Sequence, residues 1–337
     1  MKTQCMHKDL IPFDAVDGYL VGILFVVNVL STVSGAGGGG IIIPILILLG
    51  NFGTNYAIPL SSIMVTASTF VRVVFFYFYN KEKHSIVDWD SIMIMIPYIA
   101  ASSYVGVLIN QVAPEYIIIG VLIFFQVLAF ALTVYDNSRI ASEEVVENNS
   151  DPRVYMVIYV IQIGVFIGVV FINLLIKDAM AYYIGKSIFF LLIGIVTSVI
   201  VMKKRVDGEL VWNGSLLSKY IVVSFCVGIL SSFLGLGGGI LINPFFIAIG
   251  MAPLGASHTT PYIAFYSSLI SSIQYIYYGN QILPYYGILF FFEAIVGTLI
   301  GIYILERIQN FKIILVVLGI ILIVSIVLLI IILVRDV

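Results

Sequence analysis

The segment Ser34–Pro44 reads SGAGGGGIIIP, and two hundred positions later Leu234–Pro244 reads LGLGGGILINP. Gly35, Gly37, Gly38, Gly39 and Pro44 fall on Gly235, Gly237, Gly238, Gly239 and Pro244 without a gap, and Gly50 falls on Gly250. Each copy follows one apolar run and precedes another. Glycine carries the largest entropic penalty in a helix of any residue but proline, so a glycine cluster between apolar runs predicts a broken helix. Within a bilayer, non-helical backbone is tolerated only where protein buries it or a watery cavity receives it. Two such breaks at matching positions of two halves point to a transport site.

Composition places these breaks in a membrane. The chain of 337 residues is 61% hydrophobic and 10% charged, with a mean hydropathy of +1.13, whereas soluble domains carry about 25% charge. Its apolar blocks are near the roughly 20 residues a membrane helix needs and lack the alternation of barrel strands. The expected fold is an all-α polytopic membrane protein of two homologous halves, with about 10 full spans plus two short half-helices. The short segments are Ile41–Leu49 and Leu241–Ile249, each rising only about 13 Å as a helix. The first apolar run has no cleavage pattern and is read as a retained helix. Net charge of −2 says nothing about partners, but no basic patch suggests nucleic acid; the scattered Cys5 and Cys226 indicate neither a disulfide framework nor a metal site, and no cofactor is expected.

The chain divides by composition into an N-terminal tail (1–17), a first transmembrane repeat (18–134), an acidic polar linker (135–153), an extra pair of spans (154–202), a basic loop (203–219) and a second repeat (220–334). Lys177, Asp178 and Lys186 read as ordinary span ends. Ser102-x-x-x-Gly106 matches Gly297-x-x-x-Gly301, a spacing that lets helix backbones approach closely. The distribution of basic residues puts the Lys81, Arg139 and Lys203 loops on the cytoplasmic side, yet leaves open whether the halves are parallel or inverted. An integral, multi-pass protein is expected, with the plasma membrane as the default location.

Gly35, Gly37 and Gly40 also satisfy G-x-G-x-x-G, but no strand precedes them and no acidic residue follows at the required distance, so a dinucleotide site is rejected. A half-helix beginning after the glycines instead presents unpaired N–H groups and the positive end of its dipole, which receives an anion without a cationic side chain. Ser61, Ser62, His258, Thr259 and Thr260 open the spans after the short segments. They either complete anion coordination or cap and back-bond their own helices. Arg72, within a span, either binds the anion or snorkels. Glu293, mid-span in FFFEAIVG, is a functional candidate by default, and it or His258 is a candidate carrier of a coupling proton. An intramembrane Ser–His enzyme is disfavoured, because Ser257 and His258 diverge on one helix and no second base exists.

The duplicated G-x-GGG-(x)4-P segment resembles that of the sulfite exporter TauE/SafE family, as do the later small-xxx-small span and the VDW stretch Val87–Trp89 before it. The resemblance covers residues 18–134 and 219–334. It implies a permease with an internal duplication whose substrates are small sulfur anions such as sulfite, sulfoacetate and related organosulfonates. It carries over to Gly35, Gly37–Gly39 and Pro44 and to Gly235, Gly237–Gly239 and Pro244. The extra pair of spans and the acidic linker depart from the short bacterial form. The expected function is secondary transport of a small sulfur-containing anion, proton-coupled, with an anion channel or a permease for another small organic anion as the alternatives. Expected partners are the anion, protons and the lipid bilayer.

Overall fold

The computed structural model describes residues 10–11, 13–34, 38–79, 86–137, 152–173, 179–203, 212–251, 253–279, 283–307 and 311–335. These residues form twelve helices and no strand: α1 (Ala15–Ser34), α2 (Gly39–Leu48), α3 (Thr54–Tyr79), α4 (Trp89–Val112), α5 (Glu115–Asn137), α6 (Pro152–Asn173), α7 (Ala179–Lys203), α8 (Gly214–Leu234), α9 (Gly239–Ala248), α10 (Pro253–Gly279), α11 (Pro284–Arg307) and α12 (Phe311–Arg335). The fold is all-α, as composition demands. Six helices are long and apolar enough to cross a membrane: α1, α3, α4, α7, α8 and α11. Their outer faces stay greasy. On α7, for example, Leu192, Ile195, Val196 and Ile200 are all more than half exposed, an apolar surface that only lipid covers comfortably.

Both short segments are helices of ten residues bounded by turns. Gly38 and Gly238 are their N-caps, with φ 74° and ψ −25° at one and φ 75° and ψ −20° at the other. This left-handed conformation is open to glycine and strained for a side chain. Gly235 and Gly237 are also left-handed, so three of the four residues between α8 and α9 carry a conformation that favours glycine. Each half-helix is followed by one more left-handed residue, Asn51 after α2 and Gly250 after α9. Asparagine is among the few non-glycine residues that adopt this conformation readily.

Helix packing occurs in reciprocal sets. α1 packs on α11 and α8 on α4; α3 on α11 and α10 on α4; α2 on α12 and α9 on α5; and α3 on α10. The small residues are the contact faces. A Cβ on Gly106 of α4 would lie 2.1 Å from the Ile229 carbonyl oxygen of α8, and one on Gly301 of α11 would lie 2.8 Å from the Val29 carbonyl oxygen of α1.

Side-chain contacts fix the sense of each pair. Along α3 and α10, Thr66 meets Ser272, Phe70 meets Phe265 and Phe76 meets His258. Rising numbers on one helix meet falling numbers on the other, so the two run antiparallel. α4 and α8 run parallel, through Ser91 with Tyr220 and Asn110 with Phe233. α1 and α11 are parallel too, through Asp17 with Tyr286 and Asn28 with Glu293. α3 and α10, which lie 200 residues apart in the chain, therefore run in opposite directions.

α6 and α7 pack outside this arrangement, against α4 and α10. The Tyr159 hydroxyl donates to the Tyr262 carbonyl at 2.7 Å, Ser187 Oγ donates to the Ala101 carbonyl at 3.0 Å, and Tyr98 and Ser198 share a hydroxyl bond of 3.2 Å. The apolar span of α7 is Gly185–Lys203, so Lys186 stands at its start, and it is buried.

Candidate functional site

The two glycine breaks meet. A Cβ on Gly39 would lie 2.9 Å from the Leu236 Cα and 3.0 Å from the Gly235 carbonyl oxygen, and one on Gly40 would lie 2.9 Å from Ile240 Cδ1. The start of α2 therefore rests on the backbone of the second break, an approach that only residues without side chains allow. The carbonyls of Gly38 and Gly238 each accept from the two amides three and four residues on, at 3.0–3.2 Å. The amides of Gly39 and Gly40, and those of Gly239 and Ile240, meet no acceptor among the described residues. These are the orphan donors that every helix N-terminus leaves, here brought together from two helices at one buried centre.

α3 supplies the hydroxyls. Ser61 Oγ donates to the carbonyls of Gly39 at 3.4 Å and Gly235 at 3.2 Å, bridging the two breaks. Ser62 Oγ is buried beside Gly235 and meets no partner among the described residues, although buried hydroxyls are nearly always satisfied. α10 supplies Ser267, whose Oγ donates to the Gly237 carbonyl at 2.9 Å. Around this centre runs a seam of paired side chains: Thr66 with Ser272 at 3.0 Å, Ser232 with Ser271 at 2.8 Å, Gln274 with Ser103 at 3.1 Å and Thr298 with Ser68 at 2.9 Å. All are buried. A polar seam inside an apolar bundle is what a path for a hydrophilic solute requires.

The remaining expected site residues divide. Gly38, Gly39, Gly235, Gly237, Gly238, Gly239, Ser61 and Ser62 lie at the centre; Gly35 and Gly37 lie outside the described residues. Pro44 and Pro244 lie inside α2 and α9. Proline has no N–H to offer the carbonyl four residues back. The Gly40 carbonyl thus freed accepts instead from Gln126 Nε2 of α5 at 2.7 Å and from Ser325 Oγ of α12 at 2.8 Å.

His258, Thr259 and Thr260 stand near the start of α10, nine to seven residues before Ser267 and so roughly 10–13 Å from the breaks along the helix axis. The Thr259 hydroxyl accepts from the Asp88 amide at 3.0 Å, tying the α3–α4 loop to α10. Thr260 Oγ1 is buried and meets no partner among the described residues. The His258 ring packs against Phe76 at 4.7 Å, and the buried Arg72 guanidinium stands 6.0 Å from the same ring. Arg72 and His258 thus form a second group at one end of the α3–α10 pair. Asp88 N-caps α4, its carboxylate accepting from the Ser91 amide and hydroxyl. Burial pushes the Asp88 carboxyl up to about 6 against those lowering hydrogen bonds.

Glu293 of α11 makes a third group. Asn28 Nδ2 of α1 donates to both its carboxyl oxygens, at 3.0 and 2.9 Å. Glu293 thus faces α1, whereas Thr298, five residues further along α11, reaches Ser68 of α3. Gln126, Asn28 and Ser267 were not singled out in sequence. Gln126 and Asn28 did carry a signal, as isolated amides within FFQVL and VVNVL. A polar residue inside an apolar span calls for a partner.

Two helix breaks facing each other across a polar seam, in an apolar helical bundle, define an integral multi-pass membrane protein of transporter architecture. The sequence profile of the family described as Sulfite exporter TauE/SafE matches residues 20–172 and again residues 147–328. The chain belongs to the sulfite exporter TauE/SafE family, a family of membrane transporters. It is similar to Sulfite exporter TauE/SafE family protein 6 of Arabidopsis thaliana, 25% identical over 78% of this chain and 68% of that one. It is also similar to family protein 5 of the same plant, 24% identical over 86% of this chain and 76% of that one. No solved structure matches the chain.

Proposed function

We propose that the protein is a secondary transporter of a small sulfur-containing anion, sulfite or an organosulfonate, coupled to protons and without a catalytic step of its own. The observation that carries this reading is the meeting of two half-helix N-termini whose first amides meet no acceptor among the described residues. Donors fixed in place at a dipole's positive end bind an oxyanion at little cost in reorganisation. The unpartnered Ser62 hydroxyl adds a donor at the same centre. Glycine at Gly38, Gly39, Gly237 and Gly238 lets the anion approach main chain.

The chain is read as two halves related by inversion, an arrangement supported by the antiparallel run of α3 and α10. Rocking of one half against the other around the central breaks would expose the site to each side in turn. Glu293 is the proposed proton carrier: it is a buried carboxyl within α11, held by the side-chain amide of Asn28. Arg72 and His258 are assigned to the approach, where a cation and an imidazole would draw an anion in from one end of the α3–α10 pair.

The test is flux into proteoliposomes holding the purified chain, comparing sulfite with sulfate and chloride, with and without an imposed pH gradient. Saturable sulfite flux that follows the gradient is expected. Ser62→Ala should raise the half-saturating concentration, and Glu293→Gln should leave flux indifferent to the gradient. Transport of none of these anions, with no binding, would refute the sulfur-anion reading. Non-saturating flux that ignores the gradient would make the protein a channel.

A further inference from the structure

The buried apolar side chains form two cores, and neither core follows the order of the chain. The first is built on α1, α2, α3, α5, α11 and α12. The second is built on α4 and on α6 to α10. Few buried side chains cross over: Val73 of α3 joins the second core, and Val107, Phe233, Leu234, Leu236, Ile240 and Tyr275 join the first. Thus α4 leaves the stretch 18–134 to pack in the second core, and α11 and α12 leave the stretch 220–334 to pack in the first. Within each core, helices from the two stretches meet backbone to backbone. A Cβ on Gly228 of α8 would lie 2.7 Å from the Ile99 carbonyl oxygen of α4, and one on Gly301 of α11 would lie 2.8 Å from the Val29 carbonyl oxygen of α1. Small residues allow the closest helix packing in a bilayer. Between the cores, the contact changes with distance from the breaks. At the breaks it is again backbone: a Cβ on Gly235 would lie 2.7 Å from the Ile58 carbonyl oxygen of α3, and Gly39 rests on Leu236. Further along, α3 and α10 touch through side chains, at the Thr66–Ser272 hydroxyl bond and the Phe70–Phe265 and Phe76–His258 ring pairs. Packed cores resist deformation, so this arrangement has a fulcrum at the breaks and a seam beside it.

We infer that the halves that rock are halves of the bundle and not halves of the sequence: α4 travels with α8 and α10, α11 and α12 travel with α1 and α3, and the path opens between α3 and α10. The inference rests on the carrier reading for what the motion achieves; the units themselves rest on packing. It assigns the parts of the mechanism to sides. Glu293 is bonded to Asn28 of α1, and Thr298 to Ser68 of α3, so the proton carrier moves together with Ser61 and Ser62. Ser267, which holds the Gly237 carbonyl, moves with the opposite core. Rigid-body movement of one unit against another around a fixed site is how such folds alternate access.

Two neighbouring positions of α3 give the test. Thr66 reaches Ser272 across the seam at 3.0 Å, and Ser68 reaches Thr298 inside the first core at 2.9 Å. Both pairs join the stretch 18–134 to the stretch 220–334. A disulfide at either would stop sequence halves from moving apart, but only the first would stop the cores. Hydroxyls this close suit disulfide geometry. The full chain, with Cys5→Ser and Cys226→Ser, carries either Thr66→Cys with Ser272→Cys or Ser68→Cys with Thr298→Cys. Sulfoacetate flux into proteoliposomes is compared before and after oxidation, each variant against itself, with disulfide formation checked by mass. Sulfite is unsuitable because it attacks disulfides. Oxidation should abolish flux across the seam pair, reversibly with reductant, and leave flux of the other pair unchanged. Flux that survives the seam disulfide, or is lost with the Ser68–Thr298 disulfide, would overturn the inference. A second measurement needs no transported anion. Nitroxide labels in lipid nanodiscs are placed at the exposed positions Val222 of α8, Val105 of α4 and Leu299 of α11. The Val222–Val105 pair, within one core, should give a narrow distance distribution, and the Val222–Leu299 pair, between cores, a broad or two-peaked one. The reverse, or the same shape for both, would overturn the assignment of units. Absence of sulfoacetate flux in the cysteine-free chain would count against the transported anion, and the label distances would then decide the units alone.

Discussion

A backbone-to-backbone approach of α4 and α8 gives the sharpest test of the packing. Gly106 faces α8 so tightly that a methyl group there would lie 2.1 Å from the Ile229 carbonyl oxygen and 2.9 Å from the Phe233 amide nitrogen. Ordinary contact begins at 3.4 Å, so the methyl is short of room by 1.3 Å (3.4 less 2.1). The obstructing atoms are backbone and cannot rotate away, so α4 and α8 must separate. Forcing a methylene into a packed interior costs about 1–3 kcal/mol, and rigid obstruction puts this site at the upper end. Against it, alanine is better than glycine in a helix by about 1 kcal/mol. Gly106→Ala should therefore destabilise by about 2 kcal/mol. Gly120 of α5 isolates the second term, since a methyl there meets nothing within 4 Å; Gly120→Ala should stabilise by about 0.5–1 kcal/mol. Unfolding of the two variants in detergent, by heat or by dodecyl sulfate titration, should move in opposite directions. A Gly106→Ala protein as stable as the parent would refute the close α4–α8 approach and with it the reciprocal packing of α1 on α11.

Three further outcomes follow from the same geometry. Gln126→Leu and Ser325→Ala each leave the Gly40 carbonyl one partner and should cost about 1 kcal/mol apiece, but together they orphan it, because Pro44 has no N–H to return. The double variant should then lose more than the sum of the singles, by about 1 kcal/mol or more, and additive losses in a double-mutant cycle would argue against that shared role. Ser61→Ala removes the donor that bridges Gly39 and Gly235 and should cost about 1 kcal/mol, read by the same unfolding assay. Asp88 predicts a pH dependence: its folded carboxyl is raised to about 6 from an ordinary value of 3.8, so the folded state holds the proton more tightly than the unfolded one. Its contribution is fully present below about pH 4 and is lost as pH rises through about 6. Relative to Asp88→Asn, which still caps α4, the parent should lose stability across that window; a flat difference would place Asp88 in water.

What the sequence could and could not disclose follows from which interactions are local. The helix breaks were legible because their cause is local: glycine backbone freedom at Gly38 and Gly238 suffices to end one helix and start another, whatever surrounds them. The small-residue faces of α4 and α11 were legible for the same reason, since Gly106 and Gly301 leave room that only a neighbouring backbone fills. His258, Thr259 and Thr260 show where this reasoning stops. They follow the second half-helix in sequence as Ser61 and Ser62 follow the first, yet the hydroxyl that meets the Gly237 carbonyl is Ser267, about two turns further along α10. Once matched helices run antiparallel, distance along the chain from a break no longer measures distance from the site. Each break is completed by the other half: Ser61 of α3 serves Gly235, and the start of α2 rests on Leu236. No reading of either half alone supplies those partners.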